Sequence, residues 1–293
     1  MTAIIATEGL GLFNSSKQTL GTTGLGFGGA GDQLHVNAVN GNLVVQRQDQ
    51  VLVGHGVDTS VVRTYNSQAG FNGNDGDTSR FNFQQKVVQS GDQLTRWTET
   101  GSEQTFTLKP GTTDTYISDD IGVDDSITKI GDQWVYQSPE NQVTYEFNAE
   151  GDNLGKLSRM VNGEGLALTY THTDTSVTIT DPAGQSTLIT LDAGKVTAIK
   201  HTDKDGAVLS NIGYEYTDAT NSDVITKVSV DLTPQTSGDN RYYVTQYTYE
   251  PRNGNPLLIS VRQGESNNAE KTLGENQGSV VSFVYDNGVD GLS

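Results

Sequence analysis

One strand motif recurs along the second half of this chain, and it constrains the fold more than any other feature. Its copies run Val143–Asn148, Leu166–Thr171, Thr187–Asp192, Ile212–Thr217, Tyr247–Glu250 and Val281–Asp286. Each alternates apolar and polar positions, closes on an aromatic or a leucine, and ends in a polar residue. Alternation with a period of two reads as a strand with one buried face. One such unit cannot bury its own apolar face, so successive copies must stack and share a core.

The spacing supports this. The closing positions Phe147, Tyr170, Leu191 and Tyr216 are 23, 21 and 25 residues apart, while Tyr249 and Tyr285 follow after 33 and 36. Turn residues fill the gaps: Asn162-Gly163, Asp181-Pro182-Ala183-Gly184, Asp192-Ala193-Gly194, Asp205-Gly206 and Asn253-Gly254. No stretch accommodates a helix of about ten residues or more. The expected class is all-β: antiparallel strands and hairpins in a repeat sheet that grows laterally and coils. A tetrapeptide punctuates the first half in three copies, Gly31-Asp32-Gln33-Leu34, Gly91-Asp92-Gln93-Leu94 and Gly131-Asp132-Gln133-Trp134. Each precedes an apolar strand and is expected to be a hairpin connection. Three regions follow: a flexible Gly/Thr/Ser-rich segment over 1–30, a leading β region over 31–134, and a degenerate repeat region over 135–293.

Composition narrows the function. The chain has 33% hydrophobic residues and 34 glycines, which suits a thin sheet with many turns better than a thick core. Its net charge of −18 disfavours nucleic acid, whose recognition requires phosphate neutralisation. Between Asp114 and Asp152 ten carboxylates accompany only Lys129, a run read as a solvated face. Cysteine is absent, which excludes disulfides, thiolate metal sites and thiol nucleophiles. No segment reaches membrane-spanning length, so no membrane insertion is expected. The N-terminus has neither a basic region nor a long apolar run, and thus no recognisable secretory signal.

The chain resembles the Rhs/YD-repeat family in specific stretches. Val36–Val45, containing Asn40-Gly41-Asn42-Leu43, and Val57–Gln68, containing Arg63-Thr64-Tyr65-Asn66-Ser67-Gln68, look like the leading segment of large bacterial Rhs-repeat proteins. Thr180-Asp181-Pro182-Ala183-Gly184-Gln185 is similar to the turn between YD repeats, and Tyr285-Asp286-Asn287-Gly288 is the plainest repeat signature. Leu191-Asp192, Tyr216-Thr217 and Tyr249-Glu250 depart from Tyr-Asp. The resemblance implies the N-terminal portion of a spiralling β-shell. Such shells enclose a C-terminal toxic domain in Rhs effectors and toxin-complex proteins, and a related one is used by teneurins. In the effector branch an aspartyl self-cleavage site releases the toxin. Neither that site nor a toxin domain is found in this sequence. The implied partners are the remainder of the same polypeptide, its cargo domain, and delivery or cell-surface components. The implied location is secreted or at a bacterial cell surface, by a route without a standard signal peptide.

The residues offer little chemistry. His35, His55, His172 and His201 form no metal-binding pair, and no nucleophile elbow or phosphate-binding loop follows a strand–helix pattern. Gly24–Gly29 matches a dinucleotide fingerprint in spelling, but lacks the following helix. The chain therefore reads as non-enzymatic and without a cofactor. His172 and His201, in polar contexts, read as solvated. Asn72, Asn74, Asp75 and Asp77, on a glycine-rich loop, form the best metal candidate, with oxygen donors suited to Ca²⁺. The repeat aromatics Phe147, Tyr170, Tyr216, Tyr249 and Tyr285 are expected to be structural. The alternative function is an extracellular adhesin-like module binding glycans or a cell surface, with Trp97 and Trp134 stacking on sugars.

Overall fold

A computed structural model describes residues 2–6, 18–23, 33–37, 41–52, 57–68, 79–138, 142–219, 221–252 and 255–285. The Ca²⁺ candidates Asn72, Asn74, Asp75 and Asp77, the first Gly-Asp pair and the Gly24–Gly29 stretch lie outside them. The described chain is all-β. Its one helical piece is a 3-10 turn at Asn82–Gln84.

The strands form two sheets. An entry sheet consists of β3 (Gln33–Asn37), β4 (Leu43–Leu52), β5 (Thr59–Asn66) and β6 (Ser79–Phe81), antiparallel in that order. Within the glycine-rich first 30 residues, expected as flexible, β1 (Thr2–Ala6) and β2 (Gln18–Thr23) pair with each other. β1 also runs parallel to β3, extending the entry sheet at that edge.

The second sheet has seventeen strands, from β7 (Lys86–Ser90) to β23 (Ser279–Ser282), each paired antiparallel with the next. A meander of this length needs only local connections, so short turn signals suffice to build it. The two described Gly-Asp pairs are hairpin loops: Ser90 pairs with Gln93 and Ile130 with Gln133. Gly91 and Gly131 carry φ of +59° and +58° at the first loop position, the glycine-demanding place in a type II′ turn.

A second loop type recurs at three of the turns named from the sequence and at one that was not. At Asn162–Leu166, Asp181–Gln185 and Asp203–Ala207 the first side chain accepts the amide hydrogen of the fifth residue, at 2.9, 2.7 and 2.8 Å. Thr98–Ser102 repeats it with a hydroxyl acceptor at 3.1 Å. In all four the fourth residue is a glycine with positive φ: Gly101, Gly165, Gly184 and Gly206.

The large sheet coils until its first strand meets its own later part. The Val87 amide donates to the Gly155 carbonyl at 2.8 Å, and Lys86 bridges Lys156. No register joins β23 to β7 among the described residues, so the sheet does not close into a barrel. The alternating inward positions form one continuous core, which takes in Val61, Tyr65 and Phe81 of the entry sheet.

Candidate functional site

The entry sheet docks on the large sheet through a buried ionic cluster. In β4 the register slips between Gln48 and Gln50, leaving Asp49 as the extra residue of a β-bulge. Asp49, whose side chain is 0% exposed, lies 3.4 Å from Arg47 Nε and 3.1 Å from Arg63 Nε. Arg63 Nη2 adds a 3.3 Å bond to the same carboxylate.

The large sheet supplies the other half of the cluster. From β19 (Val208–Glu215) the Tyr214 hydroxyl donates to Asp49 Oδ2 at 2.8 Å. From β21 (Tyr242–Arg252) Tyr247 accepts from Arg63 Nη2 at 2.7 Å. Burial alone would lower the Arg63 pKa; the Asp49 charge overrides it and raises it well above the ordinary value. Burial, then the Asp49 charge, pushes the Tyr214 phenol well up. The Arg63 guanidinium therefore keeps its proton beside Asp49.

Around the cluster the packing is aromatic. Phe81 meets Tyr214 edge-on at 5.3 Å, and Tyr65 lies 6.3 Å from Tyr249. The Tyr65 hydroxyl accepts the Leu258 amide hydrogen at 3.0 Å.

The two motifs that carried the family resemblance converge below this cluster. Asn42 Nδ2 donates to Asn66 Oδ1 at 3.1 Å, and Ser67 Oγ donates to Asn42 Oδ1 at 3.2 Å. Asn66 Nδ2 reaches the Thr100 carbonyl at 2.9 Å. These buried amides fasten the β3–β4 turn and the end of β5 to the Gly101 loop. A satisfied polar network of this kind specifies one arrangement.

A third buried network joins β8 (Gln93–Trp97), β9 (Glu103–Leu108) and β12 (Gln133–Gln137). Arg96 donates to Gln85 Oε1 at 2.7 Å and to Gln104 Oε1, and its guanidinium lies 4.1 Å from the Tyr136 ring centroid. The Tyr136 hydroxyl donates to Asp125 Oδ2 at 2.7 Å. Asp125, taken from the sequence as part of a solvated acidic face, is 4% exposed and belongs to this interior network.

Of the repeat aromatics, Phe147 and Tyr170 are buried. The other three are half-buried and share one contact. The hydroxyls of Tyr216, Tyr249 and Tyr285 donate to the carbonyls of Val196, Ile225 and Leu258 at 3.0, 2.8 and 2.9 Å. Each bond reaches back to an earlier part of the coil. Tyr216→Phe is therefore expected to lose about 1 kcal/mol and Tyr216→Ala about 2 kcal/mol in urea unfolding. Unchanged unfolding in both would remove Tyr216 from the shared core.

The tryptophans are packed. Trp134 is buried edge-on to Tyr116, and Trp97 carries the Arg80 and Lys86 cations 5.2 and 5.4 Å from its ring centroid.

His201 corrects the expectation of a solvated ring: it is 1% exposed. Its inward position follows β18 (Lys195–Thr202), where Val196 and Ile199 also point into the core. Gln185 Oε1 can only accept, so Nε2 donates to it at 3.0 Å and Nδ1 accepts from Thr187 Oγ1 at 2.7 Å. His172 is half-buried, with Nε2 at 2.7 Å from the Leu157 carbonyl.

Burial lowers the pKa of both rings against partly opposing neighbours. The unfolded chain thus takes up protons first as pH falls below about 6.5, and stability declines there. Urea unfolding between about pH 7.5 and about pH 5 checks this, and His201→Gln is expected to flatten the slope. A slope unaffected by that substitution would remove His201 as a source.

Among the described residues no group of three or more His, Asp or Glu side chains is placed to hold a metal ion. No described helix is long and apolar enough to cross a membrane.

The comparison with known families meets this geometry at one place. Residues 34–106 match a family described as a domain of unknown function, DUF6531. No curated protein matches the chain. The matched span, about a quarter of the sequence, runs from Leu34 in β3 to Phe106 in β9. It contains Asn42, Asp49, Arg63, Asn66, Arg96 and Gln104, so it supplies residues to all three buried networks.

Proposed function

We propose that this chain is a non-enzymatic structural module at the N-terminal end of a large exported bacterial Rhs/YD-repeat protein. In this reading it begins a β-shell that encloses or presents a C-terminal, toxin-like domain carried elsewhere in the polypeptide. The observation that carries the reading is the entry sheet locked against a seventeen-strand coiling meander by the fully buried carboxylate of Asp49. A sheet that grows one strand at a time, with its start tied down by an ionic cluster, suits a container wall.

The partners under this reading are the remaining shell, the cargo and components that deliver it. The reading frame downstream of residue 293 tests it. Further strand repeats closing on Tyr-Asp, followed by a compositionally distinct domain, are expected. A frame that continues instead into an unrelated enzyme or a membrane anchor would overturn the proposal.

A further inference from the structure

The second face of the entry sheet borders a cavity. Strand alternation sends Arg47, Val61 and Arg63 into the docking cluster, and Gln46, Gln48 and Ser60 to the opposite side. Those three line a cavity of about 370 Å³ whose far wall includes Tyr145 and Met160, from β13 (Val143–Asn148) and β14 (Leu157–Asn162). Asn82, Gln85 and Glu99 complete the polar lining among the described residues. We propose that this cavity binds a neutral saccharide.

Size and chemistry both point there. The volume lies in the range of about 300–1,000 Å³ typical of small-molecule sites. Its lining is a row of carboxamides and a hydroxyl facing an aromatic ring and a thioether. A carboxamide presents a donor and an acceptor together, which matches adjacent sugar hydroxyls. A tyrosine ring offers an apolar surface to the C–H face of a pyranose.

Two lining groups are uncommitted: the Gln48 amide and the Ser60 hydroxyl have no hydrogen-bond partner among the described residues. The rest are braced. Asn82 accepts from the Val62 amide at 3.1 Å and donates to the Ser60 carbonyl at 2.9 Å. Gln85 accepts from Arg96 at 2.7 Å, and the Arg96 guanidinium lies 5.3 Å from the Tyr145 ring centroid.

Charge excludes the other polar ligands. Among the described residues Glu99 is the only charged side chain on the lining, and it is 3.8 Å from Arg96 Nη2. An anion would meet that carboxylate with no cation on the lining to receive it, within a chain of net charge −18. A cation would find one already compensated carboxylate. Neutral hydroxyl-rich molecules remain. This inference stands apart from the shell reading, since the cavity would bind the same ligand whether or not a cargo is enclosed.

Saturation-transfer NMR on the whole chain tests it, with maltose, lactose and N-acetylglucosamine as neutral probes and glucuronate as the charged one. Saturation of the sugar ring protons by at least one neutral probe is expected. Gln48→Leu combined with Ser60→Val should weaken it about tenfold, the loss of two hydrogen bonds. Gln48 is exposed and Ser60 half-buried, so an unchanged melting temperature should accompany that loss. Tyr145→Leu removes the ring wall without touching the amides, and is expected to abolish the signal. No transfer from any neutral probe, binding unaltered in either variant, or stronger binding of glucuronate would each overturn the proposal.

Discussion

Gly155→Ala is expected to cost about 3–5 kcal/mol in urea unfolding, among the largest effects available to a single methyl group. Two independent constraints meet at this residue. Its φ of +79° disfavours any side chain, a penalty of about 1–2 kcal/mol. A Cβ here would also lie 2.2 Å from the Val87 carbonyl oxygen, a backbone atom of β7. The same glycine accepts the Val87 amide hydrogen, so β7 cannot retreat without breaking the contact that turns the sheet into a coil.

Gly151 provides the control within the same turn. Its φ is +78°, but nothing lies within 4 Å of its would-be Cβ. Gly151→Ala is expected to lose only the conformational penalty of about 1–2 kcal/mol. Equal losses at the two positions would mean that the β7 contact contributes nothing to stability.

Asp49→Ala is expected to cost about 3–5 kcal/mol, because it leaves the buried Arg63 guanidinium without its counter-charge. Tyr214 loses its acceptor at the same time. The damage should be a property of the unpaired charge rather than of the missing carboxylate. Adding Arg63→Met to an Asp49→Leu chain is therefore expected to recover part of the loss, since an apolar pair of similar volume carries no desolvation debt. A loss below about 1 kcal/mol in Asp49→Ala, the range of exposed pairs, would place the cluster in contact with water.

These two residues also mark what the sequence made legible. Strand period and turn chemistry are local. The meander, its hairpins at Gly91 and Gly131 and the lack of long helices among the described residues were therefore readable from neighbours in the chain. Asp49 was not, because Gln46-Arg47-Gln48-Asp49-Gln50 spells a solvated strand by composition. Its burial depends on a bulge and on tyrosines far along the chain. The signal available was the position of that polar run inside a long strand flanked by Val44–Val45 and Val51–Leu52.

Arg96, Gln104, Asp125 and Tyr136 share the same difficulty: four polar residues on different strands satisfy one another only after the sheet has formed. His201 sits among polar neighbours, yet its strand parity matches that of Ile199. Parity predicts its burial where local polarity misleads. Gly155 looked like any turn glycine, because the atom it must avoid belongs to the other end of the coil.

The Asn42, Asn66 and Ser67 network lies within residues 34–106, the span matched by the family described as a domain of unknown function. Those side chains hold the entry sheet to the first loops of the large sheet.

Limited proteolysis of the whole polypeptide, read by mass, tests the central claim most directly. With Asp49 intact, the shell reading expects a downstream domain that resists digestion for as long as the coil remains folded. With Asp49→Ala, the entry sheet should undock and the same domain should be cut early. Downstream cleavage at the same rate in both proteins would contradict the account, because the entry sheet would then be closing nothing.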